Sequence, residues 1–171
     1  LKIINADILK LDLDNYRYEK IVGNLPYYIT TPIMFKFFKS NSNWDEMYFL
    51  IQKEVADRIV AKPGTKIYGR LTIMSQIFSK VDRLFDISPQ VFRPIPKVKS
   101  SLVRFKRLNY NKNIKDYDRF ENMIRKIFNQ RRKKLKNCIS DDMDLNFSMN
   151  SDLLHKRPEE ISIPEFIEII N

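Results

Sequence analysis

Hydrophobic residues in the first hundred positions fall into short apolar runs alternating with stretches of helical spacing. Lys2 to Asn5 and Lys20 to Gly23 each read as a short strand. Both end in polar residues, Asp7 in the first case and Asn24 in the second. Thr31-Pro32 makes a helix start, the hydroxyl capping free N–H groups and the proline filling a position that needs no donor. Ile33, Met34, Phe37 and Phe38 then recur at helical spacing. Met47 to Ile51 is a run of five apolar residues, which predicts a strand buried on both faces. Lys53 to Ala61 reads as a helix stopped by Pro63-Gly64. Arg70 to Lys80 continues as a helix with Leu71, Met74, Ile77 and Phe78 on one side. Val81 to Ile87 and Ser101 to Lys106 read as strands flanking the proline-rich stretch "SPQVFRPIPKVKS". Strands alternating with helices predict an open α/β sheet, in which ligands sit beyond the carboxyl ends of the strands.

The pattern changes after Arg107. "LNYNKNIKDY" has the composition of a linker, and the residues beyond it have helical spacing throughout. Asp118 is placed to cap a long helix whose apolar face carries Phe120, Ile124, Ile127, Phe128 and Leu135, with Arg131 to Lys134 crowding its later turns. Ser162 and Glu165 stand at capping-box spacing, and Ile161 and Phe166 are placed to staple the helix start. The expected organisation is an α/β part over residues 1–107 and a small all-α domain over residues 108–171.

Composition narrows the chemistry. The 171 residues can bury a real core, and 43% are hydrophobic without any continuous apolar run that would span a bilayer. Leu1 begins no secretory leader, so the expected setting is soluble and cytoplasmic, with no membrane partner. Cys138 is the one cysteine and His155 the one histidine, which excludes an internal disulfide and a Cys/His zinc site. His155, beside Lys156, Arg157 and Pro158, reads as a surface residue at a helix end, so serine-triad and Cys-His hydrolases are disfavoured as well.

The net charge of +10 favours a polyanionic partner. Between Ile87 and Lys115 there are eight bases and no acid, among them Arg93, Lys97 and Lys99. Seven more stand between Arg125 and Lys136, again without an acid, and include Arg131, Arg132, Lys133 and Lys134. One such run is commonly a solvated face. Two in one chain point to nucleic acid.

Within "IVGNLPYYITTPIMFKFF" an apolar strand ends in Asn24-Leu25-Pro26-Tyr27. Asn24 offers a side-chain carbonyl, and Leu25, held extended by the following proline, offers a backbone carbonyl of fixed direction. With Tyr27 beside them, two acceptors and a flat ring suit a planar aryl amine. The exocyclic nitrogen of adenine is a poor nucleophile, because its lone pair is delocalised into the ring. Hydrogen bonds from both its N–H groups to fixed acceptors help localise that pair, and they stabilise the positive charge that grows on nitrogen as a methyl group arrives. No strong base and no metal are required. An ordinary strand-to-helix turn would also use Asn and Pro, and the tetrapeptide alone does not decide between the two.

The chain resembles the ribosomal RNA adenine N6,N6-dimethyltransferases, and among them the bacterial small-subunit group that modifies adjacent adenines near the 3′ end of 16S rRNA. The matching stretches are "NADIL", "IVGNLPYYITTPIMFKFF", "LIQKEVADRIVAKPGTKIYGRLTIMSQ", "VFRPIPKVKSSLVRF", "FNQRRKKLKN" and "RPEEISIPEF". The resemblance implies a Rossmann-like class I methyltransferase sheet followed by a small helical domain that positions RNA. It implies that Asn24, Leu25, Pro26 and Tyr27 form the target-adenine site, with Phe92 as the second stacking aromatic. It further implies that Asp7 accepts a hydrogen bond from the adenine amine of S-adenosylmethionine, that Ile8 lies beside that ring, and that Asn24 lies near the cofactor. The implied partner is 16S rRNA in the small ribosomal subunit. The basic runs, with Arg93, Lys97, Lys99 and Arg131 to Lys134, are expected to hold its phosphates, and the protein is expected to be a monomer. Helix capping by Asp7 and loop anchoring by Phe92 are the plain structural alternatives.

The resemblance departs at the start of the chain. Such enzymes begin with a basic arm, a Gly-rich cofactor turn and an acidic residue for the ribose. The glycines here are Gly23, Gly64 and Gly69, so no G-x-G turn can be written. The first two strands of the family's sheet are missing, which amounts to about 60 residues or more. The sheet is therefore expected to be partial, the third strand to lack its usual neighbour, and the chain as it stands to be inactive. Two other functions remain open: a 23S rRNA adenine N6-methylase of the macrolide-resistance type, and a non-catalytic RNA-binding ribosome-assembly factor.

Overall fold

The computed structural model describes residues 3–14, 16–40, 44–108, 113–139, 143, 145 and 151–171. Two compact units emerge, one made of Leu1–Ala56 with Lys80–Arg107, the other of Asp57–Ser79 with Leu108–Asn171. The sequence pattern places a single boundary after residue 107. The chain also crosses between units within residues 56–57 and 79–80, so the segment 57–79 belongs with the helical part.

The first unit is built on a four-stranded sheet in the order β1-β2-β4-β3. Its strands are β1 (Tyr18–Asn24), β2 (Trp44–Gln52), β3 (Ser79–Ile87) and β4 (Ser100–Arg107). β1 runs parallel to β2, with Gly23 opposite Phe49 and Asn24 opposite Leu50. The parallel pair is joined by helix α1 (Thr30–Lys39), the crossover that parallel strands need. β2 and β4 pair antiparallel, with Met47 opposite Phe105, Phe49 opposite Val103 and Gln52 opposite Ser100.

The apolar periodicity of α1 buries Ile33, Met34, Phe37 and Phe38. Phe37 meets Phe49 at 6.0 Å between ring centroids, Phe38 meets Phe105 at 5.7 Å, and Phe49 meets Phe105 at 5.8 Å. Trp44 is buried and its indole N–H donates to the Phe37 carbonyl at 3.1 Å. β2 is buried fully on one face only. Met47, Phe49 and Ile51 are buried, while Tyr48 and Leu50 on the other face are half-buried. Polar pairing explains the difference: the Tyr48 hydroxyl donates to Glu46 at 2.8 Å, and Arg104 donates to Asp82 at 2.8 Å.

Several boundaries differ from the sequence pattern. Residues 3–5 are irregular rather than a strand, and Ile3 is 84% exposed. A strand requires a neighbour for its backbone groups, and among the described residues β1 is paired only along its β2 side. At the other helix start, Thr30 rather than Thr31 opens α1, and its hydroxyl donates to the Pro26 carbonyl at 3.1 Å. Further differences lie in the second unit.

Helix α2 (Lys53–Ile59), whose first residues belong to the first unit, leads to helix α3 (Arg70–Phe78), which stops two residues short of the Lys80 that the spacing predicts because Ser79 already opens β3. Thr72 donates to the Arg58 carbonyl at 2.6 Å, and Gln76 to the Ile59 and Ala61 carbonyls at 2.9 and 3.1 Å. These bonds fasten α3 to the carboxyl end of α2. Helix α4 (Tyr117–Phe128) is capped by Asp116, which accepts from Arg119 N at 2.9 Å, and not by Asp118 two residues on. Arg131 to Lys134 lie beyond its end, in a turn. The chain bends there so that Leu135 is buried and its N–H reaches the Lys156 carbonyl at 2.7 Å.

The core of this unit gathers Tyr68, Ile73, Phe120, Ile124, Ile127 and Phe166, all buried. Tyr68 lies at 6.3 Å from Phe128, and Phe128 at 5.9 Å from Phe166. Burial pushes the Tyr68 phenol far above its usual range, and its O–H donates to the Ile161 carbonyl at 3.0 Å. Helix α5 (Ile163–Ile170) carries the expected capping box, with Ser162 N donating to Glu165 at 2.7 Å and Glu165 N to Ser162 at 3.4 Å. His155 is exposed at the end of a 3-10 turn.

Candidate base-binding cleft

At the carboxyl end of β1 the chain stays in register for one residue more, since Leu25 N donates to the Leu50 carbonyl at 3.3 Å. Gly23 permits this path. A Cβ there would stand 2.9 Å from Leu25 Cδ2 and 3.1 Å from Phe49 Cδ1. The Leu25 side chain is buried as an anchor, while Asn24 and Pro26 are exposed. Pro26 is extended, with φ −58° and ψ 129°, and a 3-10 turn over Tyr27–Ile29 comes before α1. The Pro26 carbonyl is occupied by Ile29 N at 3.1 Å and by the Thr30 hydroxyl at 3.1 Å.

The two acceptors just ahead of it are left open. Among the described residues, no donor reaches Asn24 Oδ1 or the Leu25 carbonyl. They belong to a cleft of about 300 Å³ lined by Asn24, Leu25, Pro26, Tyr27, Phe92, Arg93, Pro94 and Pro96. All eight lie in the first unit. The sequence-predicted tetrapeptide and Phe92 are thus brought together from positions nearly seventy residues apart.

Tyr27 and Phe92 are both half-buried, as an aromatic must be if one face is to remain available. The Tyr27 and Ser100 hydroxyls share a hydrogen bond of 2.7 Å. Phe92 N donates to the Pro89 carbonyl at 3.1 Å, closing a short 3-10 turn. Arg93 donates to the Gln90 and Phe92 carbonyls, both at 3.0 Å, so its guanidinium is folded over its own loop at the cleft wall.

Asp7 and Ile8 are not among the lining residues. Asp7 forms a local turn, its Oδ1 accepting from Leu9 N at 2.9 Å and its carbonyl from Lys10 N at 2.9 Å. Its second carboxylate oxygen has no donor among the described residues and can accept from an incoming amine. Ile8 is half-buried.

The basic residues sort into distinct settings. Lys97 and Lys99 are exposed on the loop that carries Phe92 and Arg93. In the second unit, Arg132 and Lys134 are exposed, and Lys133 donates to Gln130 at 2.8 Å. Arg131 is different: it donates to the Lys66 carbonyl at 2.6 Å and pairs with Glu159 at 3.2 Å.

Pro94, Pro96 and Ser100 were not legible as site residues. The prolines carried a signal only as a rigid stretch before a strand. Ser100 carried none, because a small hydroxyl at a strand start acquires meaning only through what it faces.

An open sheet whose β1 ends in a cleft with free acceptors and aromatic walls defines a Rossmann-like methyltransferase domain, here followed by a helical part. The chain belongs to the ribosomal RNA adenine dimethylase family, whose model matches residues 1–167. A ribosomal RNA small subunit methyltransferase A of Desulfitobacterium hafniense is 41% identical over 96% of this chain and 63% of its own length. One from Cytophaga hutchinsonii is 38% identical over 99% of this chain and 66% of its own length. The chain therefore spans just under two thirds of these relatives. The fold is shared with a dimethyladenosine transferase from Plasmodium falciparum, at TM-score 0.83 and 22% identity over 96% of this chain and 69% of that one. It is shared more distantly with the 23S rRNA methyltransferase ErmE, at TM-score 0.64 and 20% identity over 98% of this chain and 70% of that one.

Proposed function

We propose that this chain carries the base-binding part of an S-adenosylmethionine-dependent enzyme that dimethylates N6 of adenines in small-subunit rRNA. The observation that carries the reading is the pair of open acceptors, Asn24 Oδ1 and the Leu25 carbonyl, set in a cleft walled by Tyr27 and Phe92. An adenine extruded from structured RNA presents two N–H donors to those acceptors and a face to each ring. The acceptors stabilise the charge that develops on the amine during transfer. The proton then leaves to water or through the Asn24 carbonyl.

S-adenosylmethionine supplies the methyl group when bound. Asp7, with one carboxylate oxygen free, suits its adenine amine, Ile8 the ring beside it, and Asn24 the point where donor and acceptor meet. Arg93, Lys97, Lys99, Arg132, Lys133 and Lys134 hold phosphates, and the helical residues 108–171 position the RNA. Arg131 contributes chiefly by ordering the turn that presents its neighbours. The names of the relatives at 38% and 41% identity support small-subunit ribosomal RNA as the target, and a cytoplasmic setting goes with that target.

The test is Asn24→Ala in the full-length protein, with single-turnover methylation and RNA affinity measured side by side. Loss of one acceptor at the reacting amine is expected to slow transfer about 100-fold or more, with RNA binding within a few-fold of wild type. Activity within a few-fold of wild type would refute the assignment.

A further inference from the structure

We propose that Ser100 is a positioning residue for Tyr27, holding in place the ring on which the target base stacks. The inference rests on the cleft reading above and adds a residue to it.

Ser100 opens β4 and is fully buried, and among the described residues the hydrogen-bond partner of its hydroxyl is the Tyr27 hydroxyl at 2.7 Å. Tyr27 follows β1, and Ser100 closes the proline-rich loop that carries Phe92. The bond therefore joins the two walls of the cleft. Ser100 is itself held firmly. It stands opposite Gln52 in the β2–β4 register, and the backbone just ahead of it is pinned by Lys53 N donating to the Lys99 carbonyl at 2.9 Å. Alternation along β4 turns the next residue, Ser101, to the other face. Its buried hydroxyl donates to Asp86 at 2.7 Å, near the end of β3. Two consecutive serines thus fasten the loop's exit, one to the loop's point of departure on β3 and one to Tyr27.

A ring anchored only at Cβ swings about its first side-chain torsion, whereas one anchored also at its hydroxyl, which lies on the ring's own long axis, has that swing fixed and with it the ring's direction and distance from the base. Stacking depends on that placement. Removing the bond is therefore expected to act on alignment of the base more than on phosphate contacts.

The experiment uses the full-length protein with an RNA substrate, natural or carrying 2-aminopurine at the target position, whose fluorescence is quenched on stacking. Ser100→Ala and Tyr27→Phe each remove one hydroxyl of the pair. Each is expected to lower the single-turnover rate about 3- to 10-fold, the scale of one neutral hydrogen bond. Each should weaken the quenching and leave KM for RNA within two-fold, and the double variant should lose no more than either single one. Wild-type rate and quenching in both single variants, with Tyr27→Ala impaired, would overturn the positioning role while leaving the cleft in place. So would losses that multiply in the double variant. If Tyr27→Ala also keeps full rate and quenching, the cleft reading itself fails, and the Ser100 role fails with it.

Discussion

Gly23, Tyr27 and Phe92 show how single residues shape the cleft. At Gly23 any Cβ would meet Leu25 at 2.9 Å and the buried Phe49 ring at 3.1 Å. Leu25 could swing away, but it anchors the turn that holds the acceptors. Gly23→Ala is expected to cost about 1 to 3 kcal/mol, the usual range for overpacking, measurable by urea unfolding. A variant as stable as wild type would show that the turn tolerates displacement. For the proposed stacking, Tyr27→Ala or Phe92→Ala should each lose about 1 to 3 kcal/mol of binding to RNA whose target base is already unstacked. Replacement by another aromatic at Phe92 should lose much less. Equal losses on RNA lacking the target adenine would return both rings to a packing role. That Asn24 to Tyr27 line one cleft was legible because they are contiguous in the chain. Asp7 reads as the polar end of a strand, but residues 3–5 form none, and its observed bond to Leu9 N is the local turn that a capping residue makes.

Helices and strands were largely visible in the apolar spacing, and the misplacements have local causes. Asp116 and Asp118 are equally good caps by residue type, and the bond to Arg119 N selects the first. The run Arg131 to Lys134 continues a helical spacing in sequence. The chain leaves the helix because burying Leu135 requires a turn, which the Cys138 thiol helps hold by contacts to the Gln130 and Lys134 carbonyls at 3.5 and 3.4 Å. The capping box of α5 was read correctly because both partners lie within four residues. It also carries a pH dependence. Burial raises the Glu165 carboxyl, but the Lys156 ammonium at 2.8 Å and the contacts to Ser162 outweigh it and hold the group below its usual range. A depressed folded pKa contributes stability that is present above the unfolded value of about 4.3. That contribution is lost as pH falls through the lower folded value. The thermal midpoint of the protein should therefore drop on acidification below about pH 4.3, and Glu165→Gln should flatten part of that drop. Ser162→Ala should cost about 1 kcal/mol at neutral pH. An acid profile unchanged by Glu165→Gln would show that other carboxyls dominate.

At the scale of the whole molecule, two features lay beyond sequence pattern. Residues 57–79 read as part of an alternating α/β run, yet Tyr68, Ile73 and Ile77 are buried in the helical unit, a pairing of segments that no local periodicity encodes. Likewise, composition sets the charge at +10 but is silent on which cations are already engaged. Arg131 is committed to Lys66 and Glu159, whereas Arg132 and Lys134 are exposed. This divides the basic run into a structural member and exposed ones, to which the proposed function gives the phosphate contacts. Neutralising Arg132, Lys133 and Lys134 together should leave the thermal midpoint nearly unchanged. It should weaken RNA binding and lower the slope of log affinity against log salt by about 0.7 to 0.9 for each phosphate no longer neutralised. Arg131→Ala should do the reverse, lowering the midpoint by removing a partly buried pair and a bond to a carbonyl while changing the slope little. Binding titrations across a range of salt, run beside thermal unfolding, separate the two effects. An unchanged slope in the triple variant would make the cluster a solvated face. A slope change in Arg131→Ala without loss of stability would mean that Arg131 exchanges Glu159 for phosphate when RNA arrives.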